Sequence, residues 1–380
     1  METLNWFFTR FKNSFEGEVR QLFTQFTYHL LLWIMPLAVY SLISSIFVAG
    51  VIYDLPVGFV DQDRSELSRT IIRDFDAGPH AKLINYDNRL NDATEGLKKA
   101  KIYALLYIPP EFESDTLAGK QPTPILYYNA LYYSAGLYST MDYSGLITQL
   151  NSSYTSIMAS KTGLAVPGLA KLNFIYDGLF NPTGNSRYYQ QFSAVVHLLQ
   201  LLVVTMTIHL LGKMSRRTPV SYPYILGKLA PYTLWYTCLL LFEIAIQVLL
   251  SGARVSSNPI YMIFVVFFYV IAAQSMGMLL YTFTRSVMTA YSLIGILVGL
   301  ALTYSGVMVP EISMPKIAQI ISHLEPLTYA LSTLFGIFLR HVDFITVLKT
   351  CAILLVYPFL VTFIIRRRLV KRLQQKEVLE

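Results

Sequence analysis

Long apolar stretches separated by short polar segments dominate the chain. A helix needs roughly 20 predominantly apolar residues to cross the hydrocarbon core of a bilayer. The stretches that reach this length lie at residues 30–52, 192–211, 229–250, 260–283, 288–309 and 345–365. The pattern therefore predicts an α-helical polytopic membrane protein with six transmembrane helices.

A further apolar run, at residues 327–339, is too short to span a bilayer. Pro310, Pro315 and Pro326 interrupt the approach to it, and each proline removes a backbone donor that a continuous helix needs. We therefore expect residues 311–340 to form a re-entrant segment before helix 6. Its short helices would enter from one face of the membrane and turn back to the same face.

The polar region between the first two apolar stretches has a different pattern. Strand-like apolar runs alternate there with charged, helix-like runs, which favours a small mixed α/β domain. The runs lie at residues 57–60, 65–75, 82–86, 91–101, 103–108, 111–118 and 124–128. A tyrosine-rich stretch at 132–162 predicts a longer helix that leads back toward the membrane. We expect residues 53–191 to form an α/β domain inserted between helices 1 and 2.

Composition supports a lipid environment, because 54% of the 380 residues are hydrophobic and 14% are charged. The formal net charge of +7 would suit nucleic acid, but the basic excess flanks the apolar stretches, as the positive-inside rule predicts. With six crossings, one side of the membrane receives Arg10, Lys12, Arg20, Lys213, Arg216, Arg217, Lys228, Arg285, Arg366, Arg367, Arg368, Lys371, Arg372 and Lys376. We expect both termini in the cytoplasm, residues 53–191 outside a bacterial inner membrane, and no nucleic-acid partner.

The two ends of the chain differ in character. Residues 1–29 mix aromatic and basic side chains, which predicts an amphipathic helix on the inner membrane surface. A solvated tail is the alternative. Glu16 and Glu18 argue against a cleavable signal peptide, as does the length of the apolar run that follows them. Residues 366–380 are predicted to form a basic cytoplasmic tail.

The sequence carries no enzymatic motif. The phrase closest to a Walker A motif, at residues 119–121, lacks the upstream glycine and the hydroxyl that would hold phosphate and magnesium. The histidines do not pair at metal-ligand spacing. We expect no catalytic group and no cofactor in this chain, with ATP and Mg²⁺ bound by a partner subunit.

Polar side chains inside the predicted helices are the candidate functional residues. Glu243 lies about 10 Å inside the third helix by helical rise, and Gln247 lies one turn away on the same face. An ionisable group at this depth is costly, so it should face the bundle interior. Its role is either in a substrate path or in a hydrogen bond to the helix that carries Gln274. His197 and Gln200, in the second helix, are further candidates.

Several short sequence motifs occur one after another along nearly the whole chain, and their order is informative. They are LPVGFVDQDRSELS at 55–68, YIPPEF at 107–112, LAGKQP at 117–122, TPVS at 218–221 with LGKLAPY at 226–232, and PLTYALSTLFGIF at 326–338. Together they resemble the ABC-2-type permease family, the membrane subunits of bacterial ABC exporters with a large extracytoplasmic domain.

The resemblance implies a dimeric permease whose loop between helices 2 and 3 contacts an ABC ATPase subunit. The contact residues would be Lys213, Arg216, Arg217, Thr218, Pro219 and Lys228. The family's coupling helix is truncated in this loop, so we expect a heterodimer with a second, non-identical permease whose coupling helix is complete; a homodimer is the alternative. Membrane lipid and a periplasmic adaptor are further expected partners.

Two functions compete at this point. The first is an ATP-driven exporter permease that moves a hydrophobic or amphipathic compound, or an envelope component, across the inner membrane. The second is a membrane-anchored envelope scaffold or receptor whose extracytoplasmic domain binds partners. An ATPase that copurifies with the chain would favour the first.

Overall fold

The computed structural model describes residues 2–22, 24–87, 89–118, 120, 122–129, 133–162, 185–214, 221–251, 255–307 and 309–375. The chain divides into two compact units. One is helical and consists of Met1–Val48 with Gly184–Glu380, and the other is mixed and consists of Ala49–Thr183.

The elements follow in chain order. The first are α1 (Glu2–Leu22), α2 (Phe26–His29), a π-helical turn (Leu30–Ile34) and α3 (Met35–Ile46). The mixed unit contains β1 (Leu55–Asp61), α4 (Glu66–Asp76), β2 (Ala81–Asn85), α5 (Leu90–Lys98), β3 (Ala104–Ile108), α6 (Phe112–Leu117), β4 (Ile125–Tyr128) and α7 (Tyr133–Thr162). The chain continues with a second π-helical turn (Arg187–Gln191), α8 (Phe192–Gly212), α9 (Tyr222–Ser251), α10 (Ile260–Phe283), α11 (Val287–Leu297), α12 (Ala301–Tyr304), a 3₁₀ turn (Glu311–Ser313), α13 (Lys316–Leu324), α14 (Pro326–Leu339) and α15 (Phe344–Gln375).

Six helices in the described ranges are long and apolar enough to cross a membrane, which confirms the predicted number. They are Phe26–Ile46, Arg187–Gly212, Tyr222–Leu250, Ile260–Phe283, Val287–Tyr304 and Phe344–Leu369. The second is the most enclosed, since 72% of its most apolar window is buried, against 22% for the fifth. α8 packs closely on α10, where a Cβ added at Gly277 would meet the Thr207 side chain at 2.8 Å. Small residues allow helices to approach in this way.

The first span is shorter than predicted. Its helix ends at Ile46 rather than at residue 52, because Phe47 leaves helical backbone geometry. Gly50 then adopts a φ of 70°, a left-handed conformation that costs glycine little. The chain therefore turns before the predicted end of the span.

Side chains of the third span donate hydrogen bonds to the π-helical turn of the first span. Pro36 has no amide hydrogen, so the carbonyl of Leu32 lacks its usual helical donor. The indole Nε1–H of Trp235 donates to this carbonyl at 3.1 Å, and the hydroxyl of Tyr236 donates to the carbonyl of Leu31 at 3.2 Å. α9 thus satisfies backbone groups that the irregular turn leaves open, as an apolar environment requires.

The fifth span is interrupted at residues 298–300. The amide of Gly299 donates to the carbonyl of Ile294 at 3.0 Å, five residues back rather than the four of an α-helix. A Cβ added at Gly299 would meet the carbonyl of Gly295 at 2.2 Å, so a side chain does not fit this turn. The span predicted at 288–309 is therefore present as Val287–Tyr304, with an interruption at this point.

Short helices occupy the segment for which re-entry is predicted. α13 and α14 meet at Glu325. Pro326 begins α14, where a missing amide hydrogen removes no helical bond. Re-entry of this segment into the membrane stays a prediction.

In the described residues of the mixed unit, four strands form one sheet in the order β2-β1-β3-β4. β1 is parallel to β2 and β3, and β4 is antiparallel to β3. Alternate side chains of β1 and β3 point to opposite faces, and each face packs on helices. One face holds Val57, Leu106, Ile71, Phe75 and Leu146, and the other holds Val60, Leu105 and Ala93. The predicted α/β region is confirmed, whereas its location outside the membrane stays a prediction.

Side chains fix local features of this unit. Ser65 is the N-cap of α4, and its hydroxyl accepts a hydrogen bond from the amide of Ser68 at 3.0 Å. Nδ1 of His80, just before β2, lies 2.7 Å from Asp142 of α7, and both side chains are buried. This contact ties the start of an edge strand to the longest helix described in the unit.

Candidate functional site

α1 is anchored to the start of α9 by a buried ion pair. The carboxylate of Glu18 pairs with the ammonium of Lys228. The hydroxyl of Tyr232, one turn further along α9, donates to the same carboxylate at 2.9 Å. These side chains are nearly inaccessible, with 4%, 6% and 1% of their surface exposed, respectively. A buried carboxylate with an ionic and a hydrogen-bonding partner is a satisfied group.

The backbones of α1 and α9 also approach closely beside this pair. A Cβ added at Gly227 would lie 2.4 Å from the carbonyl oxygen of Phe11. The hydroxyl of Ser14 donates to the carbonyl of Tyr224 at 2.8 Å. α1 is therefore packed into the helical unit along part of its length rather than extending as a solvated tail.

The predicted ATPase-contact residues separate into three groups. The ammonium of Lys228 points into the protein and pairs with Glu18, and its predicted contact with an ATPase stays a prediction. Lys213 donates to Oε1 of Gln25 at 3.0 Å and lies 5.1 Å from the ring centroid of Tyr28. The remaining four residues lie outside the described ranges: Arg216, Arg217, Thr218 and Pro219. The contact of this loop with an ATPase stays a prediction.

A second polar cluster lies where α8, α10 and the start of α14 meet. The hydroxyl of Tyr269 donates to Oε1 of Gln200 at 3.1 Å, and Nε2 of Gln200 lies 3.4 Å from the sulfur of Met276. The carboxyl group of Glu325 lies close to the side chain of Gln200. His197 lies one turn before Gln200 and faces the backbone at the break of the fifth span. We call Gln200, Tyr269, Glu325 and His197 the central cluster.

The central cluster is incompletely satisfied. Oε2 of Glu325 and Nδ1 of His197 are buried, and neither has a hydrogen-bond partner among the residues that the structure describes. Their side chains belong to residues that are 8% and 7% exposed. Sequence reasoning found His197 and Gln200 but missed Glu325. The available signal was an acid directly before the proline that opens an apolar run.

Glu243 is enclosed by the first, second and third spans. It lines a cavity of about 10 Å³ together with Tyr40 of α3 and apolar side chains of α8, which is close to the lower limit for one water molecule. No described residue forms a hydrogen bond with its carboxyl group, and the buried hydroxyl of Tyr40 also lacks a partner in that part of the chain. The acid and the tyrosine therefore line the same small, mostly apolar cavity inside the bundle.

The other predicted intramembrane polar residues serve neighbouring helices. The Nε2 group of Gln247 donates to the carbonyl of Arg187 at 2.5 Å, so it does not support Glu243. The side chain of Gln274 meets the hydroxyl of Thr233 at 2.8 Å and the carbonyl of Leu229 at 3.3 Å. Among the described residues, Glu243 forms no hydrogen bond with the helix of Gln274, and its role stays a prediction.

Arg187 is a residue that sequence reasoning missed. Its Nε donates to the carbonyl of Phe47 at 2.8 Å, and its Nη1 donates to the carbonyl of Leu250 at 3.0 Å. These carbonyls lie at the ends of α3 and α9, where helices leave acceptors open and the dipole favours a cation. One guanidinium therefore joins the ends of two spans. In the sequence it reads as a charge at the edge of the polar insertion.

The helical unit defines a polytopic membrane protein whose bundle encloses ionisable side chains. In the described ranges, no group of three His, Cys, Asp or Glu side chains could hold a metal ion. Residues 29–366 match the model of the family described as ABC-2 family transporter protein, and the chain belongs to this family. The match confirms the resemblance found in the sequence and takes in the α/β region. The chain is thus a membrane subunit of a transporter, a role that is not itself catalytic. No curated protein matches it.

Proposed function

We propose that the chain is the permease subunit of an ATP-driven exporter in the bacterial inner membrane. It moves a hydrophobic or amphipathic compound, or an envelope component, and a separate subunit hydrolyses ATP. The observation that carries the proposal is the family match over residues 29–366. The basic flanks of the spans support a topology with both termini in the cytoplasm and residues 53–191 outside.

The central cluster supports a role in the conformational cycle. A buried acid without an ionic partner is costly and marks a functional position in a membrane helix bundle. The cluster also lies beside two helix interruptions, at residues 298–300 and at Glu325. Helix breaks near polar sites are where transporter bundles rearrange around their cargo. In this proposal the helices that meet at Gln200 change their packing during transport.

Coupling to the ATPase follows from the contact between α1 and α9. A push on the loop before α9 moves the start of that helix, and the pair of Glu18 and Lys228 carries α1 along with it. The loop supplies Lys213, Arg216, Arg217, Thr218 and Pro219 to the ATPase. Because the loop is short, the second subunit is a non-identical permease that supplies the complete coupling helix. A periplasmic adaptor binds residues 53–191.

The test is purification of the native complex and its reconstitution into vesicles. We expect an ATPase to copurify, and ATP-dependent movement of at least one compound from a panel of lipids and drugs. Glu325→Gln should lower transport at least tenfold while the complex stays assembled. Glu311→Gln is the matched control, because this acid lies in the same segment, is 42% exposed at its side chain and pairs with His323.

Contrary outcomes are equally clear. Purification without any ATPase would replace the exporter by a scaffold or receptor, for which the short loop and the inward-facing Lys228 are the supporting observations. A functional homodimer with two ATPases and no other membrane chain would exclude the proposed second permease. Equal transport by Glu325→Gln and Glu311→Gln would remove the central cluster from the mechanism.

A further inference from the structure

A large apolar cavity lies between α1, α9, α10 and α15. Its volume is about 500 Å³, within the range of small-molecule sites in proteins. Apolar side chains from all four helices line it, including Phe11, Phe15, Leu229, Phe267, Met278 and Pro358. It is separate from the central cluster and from Glu243.

The cavity is polar at one end. The hydroxyl of Tyr222 is buried and has no hydrogen-bond partner within the described ranges. It lies within electrostatic range of Arg366, whose side chain is exposed and forms no ion pair with any described residue. Tyr222 opens α9, and Arg366 follows the apolar part of α15. The cavity therefore has a hydrogen-bond donor at the end where α9 begins, and the basic residues of α15 follow the apolar part of that helix.

At the other end of the cavity, the polar side chains already have hydrogen-bond partners. Thr233 and Gln274 line it and bond to each other at 2.8 Å. Thr233 lies eleven residues beyond Tyr222 in α9, which is about 16 Å by helical rise. This depth is close to half of a hydrocarbon core about 30 Å thick. The cavity thus extends over about the depth of one bilayer leaflet and has an apolar wall, and its Tyr222 end lies within electrostatic range of Arg366.

We propose that this cavity binds one anionic glycerophospholipid from the leaflet that faces the basic helix ends. An acyl chain fills the apolar space, and the phosphate accepts a hydrogen bond from Tyr222 and pairs with Arg366. The site goes beyond the proposed export function, because its occupant is a resident lipid of the membrane rather than cargo. Charge complementarity favours an anionic head group, since basic residues near the membrane surface attract anionic lipids.

Native mass spectrometry of the full-length chain, released from nanodiscs with equal phosphatidylglycerol and phosphatidylcholine of matched chains, tests the site. We expect one phosphatidylglycerol molecule to be retained in preference to phosphatidylcholine. Arg366→Gln should lower this retention roughly fivefold, the effect of one basic residue near the surface. Tyr222→Phe should lower it less. Ala230→Phe, which fills the cavity without changing charge, should abolish it.

Arg367→Gln is the matched control, because it removes the same charge from the next position of α15, which is also exposed. Size-exclusion profiles and helical circular dichroism establish that each variant is folded. The proposal is overturned if both arginine variants lose lipid equally, if phosphatidylcholine is retained as well as phosphatidylglycerol, or if Ala230→Phe keeps the lipid. ATP hydrolysis and transport are not read out, so failure here leaves the export proposal untouched.

Discussion

Buried acids in the helical unit occur in two kinds of surroundings. Glu18 has an ammonium and a phenol as partners, and it joins α1 to α9. Glu243 has no hydrogen bond from a described residue, and one oxygen of Glu325 is likewise unpartnered within those ranges. Removing one partner of a satisfied buried pair is strongly destabilising, whereas a buried acid without an ionic partner is costly and marks a candidate functional position. The comparison separates the ion pair that anchors α1 from the buried acids that are candidates for a role in transport.

The largest effect should come from breaking the satisfied pair. Lys228→Met leaves Glu18 buried without its ionic partner, which costs about 3–5 kcal/mol of unfolding free energy. The double variant Glu18→Leu with Lys228→Met replaces both charges by apolar groups and should recover most of that loss. Denaturation of the purified protein in mixed detergent measures both. Equal losses in the single and double variants would contradict the assignment of an anchoring pair.

The second-largest difference in unfolding free energy is expected between variants of the tyrosines that lie beside Glu18 and Glu243. Tyr232→Phe removes a hydrogen bond to a carboxylate, worth about 1.5–3 kcal/mol. Tyr40→Phe is the matched control beside Glu243, because its buried hydroxyl has no partner among described residues. This second change should be close to neutral. The same denaturation assay compares the two, and similar losses would mean that the acids are not distinguished by their partners.

Close packing at the anchor gives the third prediction. Gly227→Val places side-chain atoms against the backbone of α1 at Phe11 and should cost about 1–3 kcal/mol. It should also expose α1 to proteolysis in a limited digest. Gly17→Ala is the control, since a Cβ added there meets nothing within 4 Å. Cleavage of both variants at the same rate would show that α1 is not held by this contact.

The smallest effect on stability is expected at an unsatisfied acid. Glu243→Gln removes a buried ionisable group that lacks an ionic partner, so stability should stay within about 1 kcal/mol of the parent or rise slightly. The unfolding assay measures this directly. A loss comparable to that of Lys228→Met would place Glu243 with the anchoring residues instead.

Sequence patterns predicted the elements well because the physics that sets them is local. Apolar length gave the six spans, and alternation gave each strand of the sheet. The boundaries failed where single positions decide the backbone. The first span stops before Gly50, and the fifth breaks at Gly299, where no side chain fits.

The site could be predicted only in part. A polar residue within an apolar run is recognisable from the sequence as costly to bury, but the sequence does not identify the residue that pairs with it. Lys228 was read as part of a surface loop, yet its partner Glu18 lies 210 residues away. Glu325 was not singled out within the predicted re-entrant segment, although it lies close to Gln200. Arg187 was read as one of many charges in a polar region. Each of these contacts depends on helix packing that the local pattern does not encode.

The central position of α8 has a consequence for how the protein is made. Gln200 contacts Tyr269 and Met276 of α10, which are synthesised 69 and 76 residues later. At 5–20 residues per second this is a delay of roughly 4–15 s. During that interval an amide and an imidazole on a newly inserted helix face lipid without their final neighbours. We expect this interval to be a step of membrane insertion at which the polar face of α8 requires shielding from lipid.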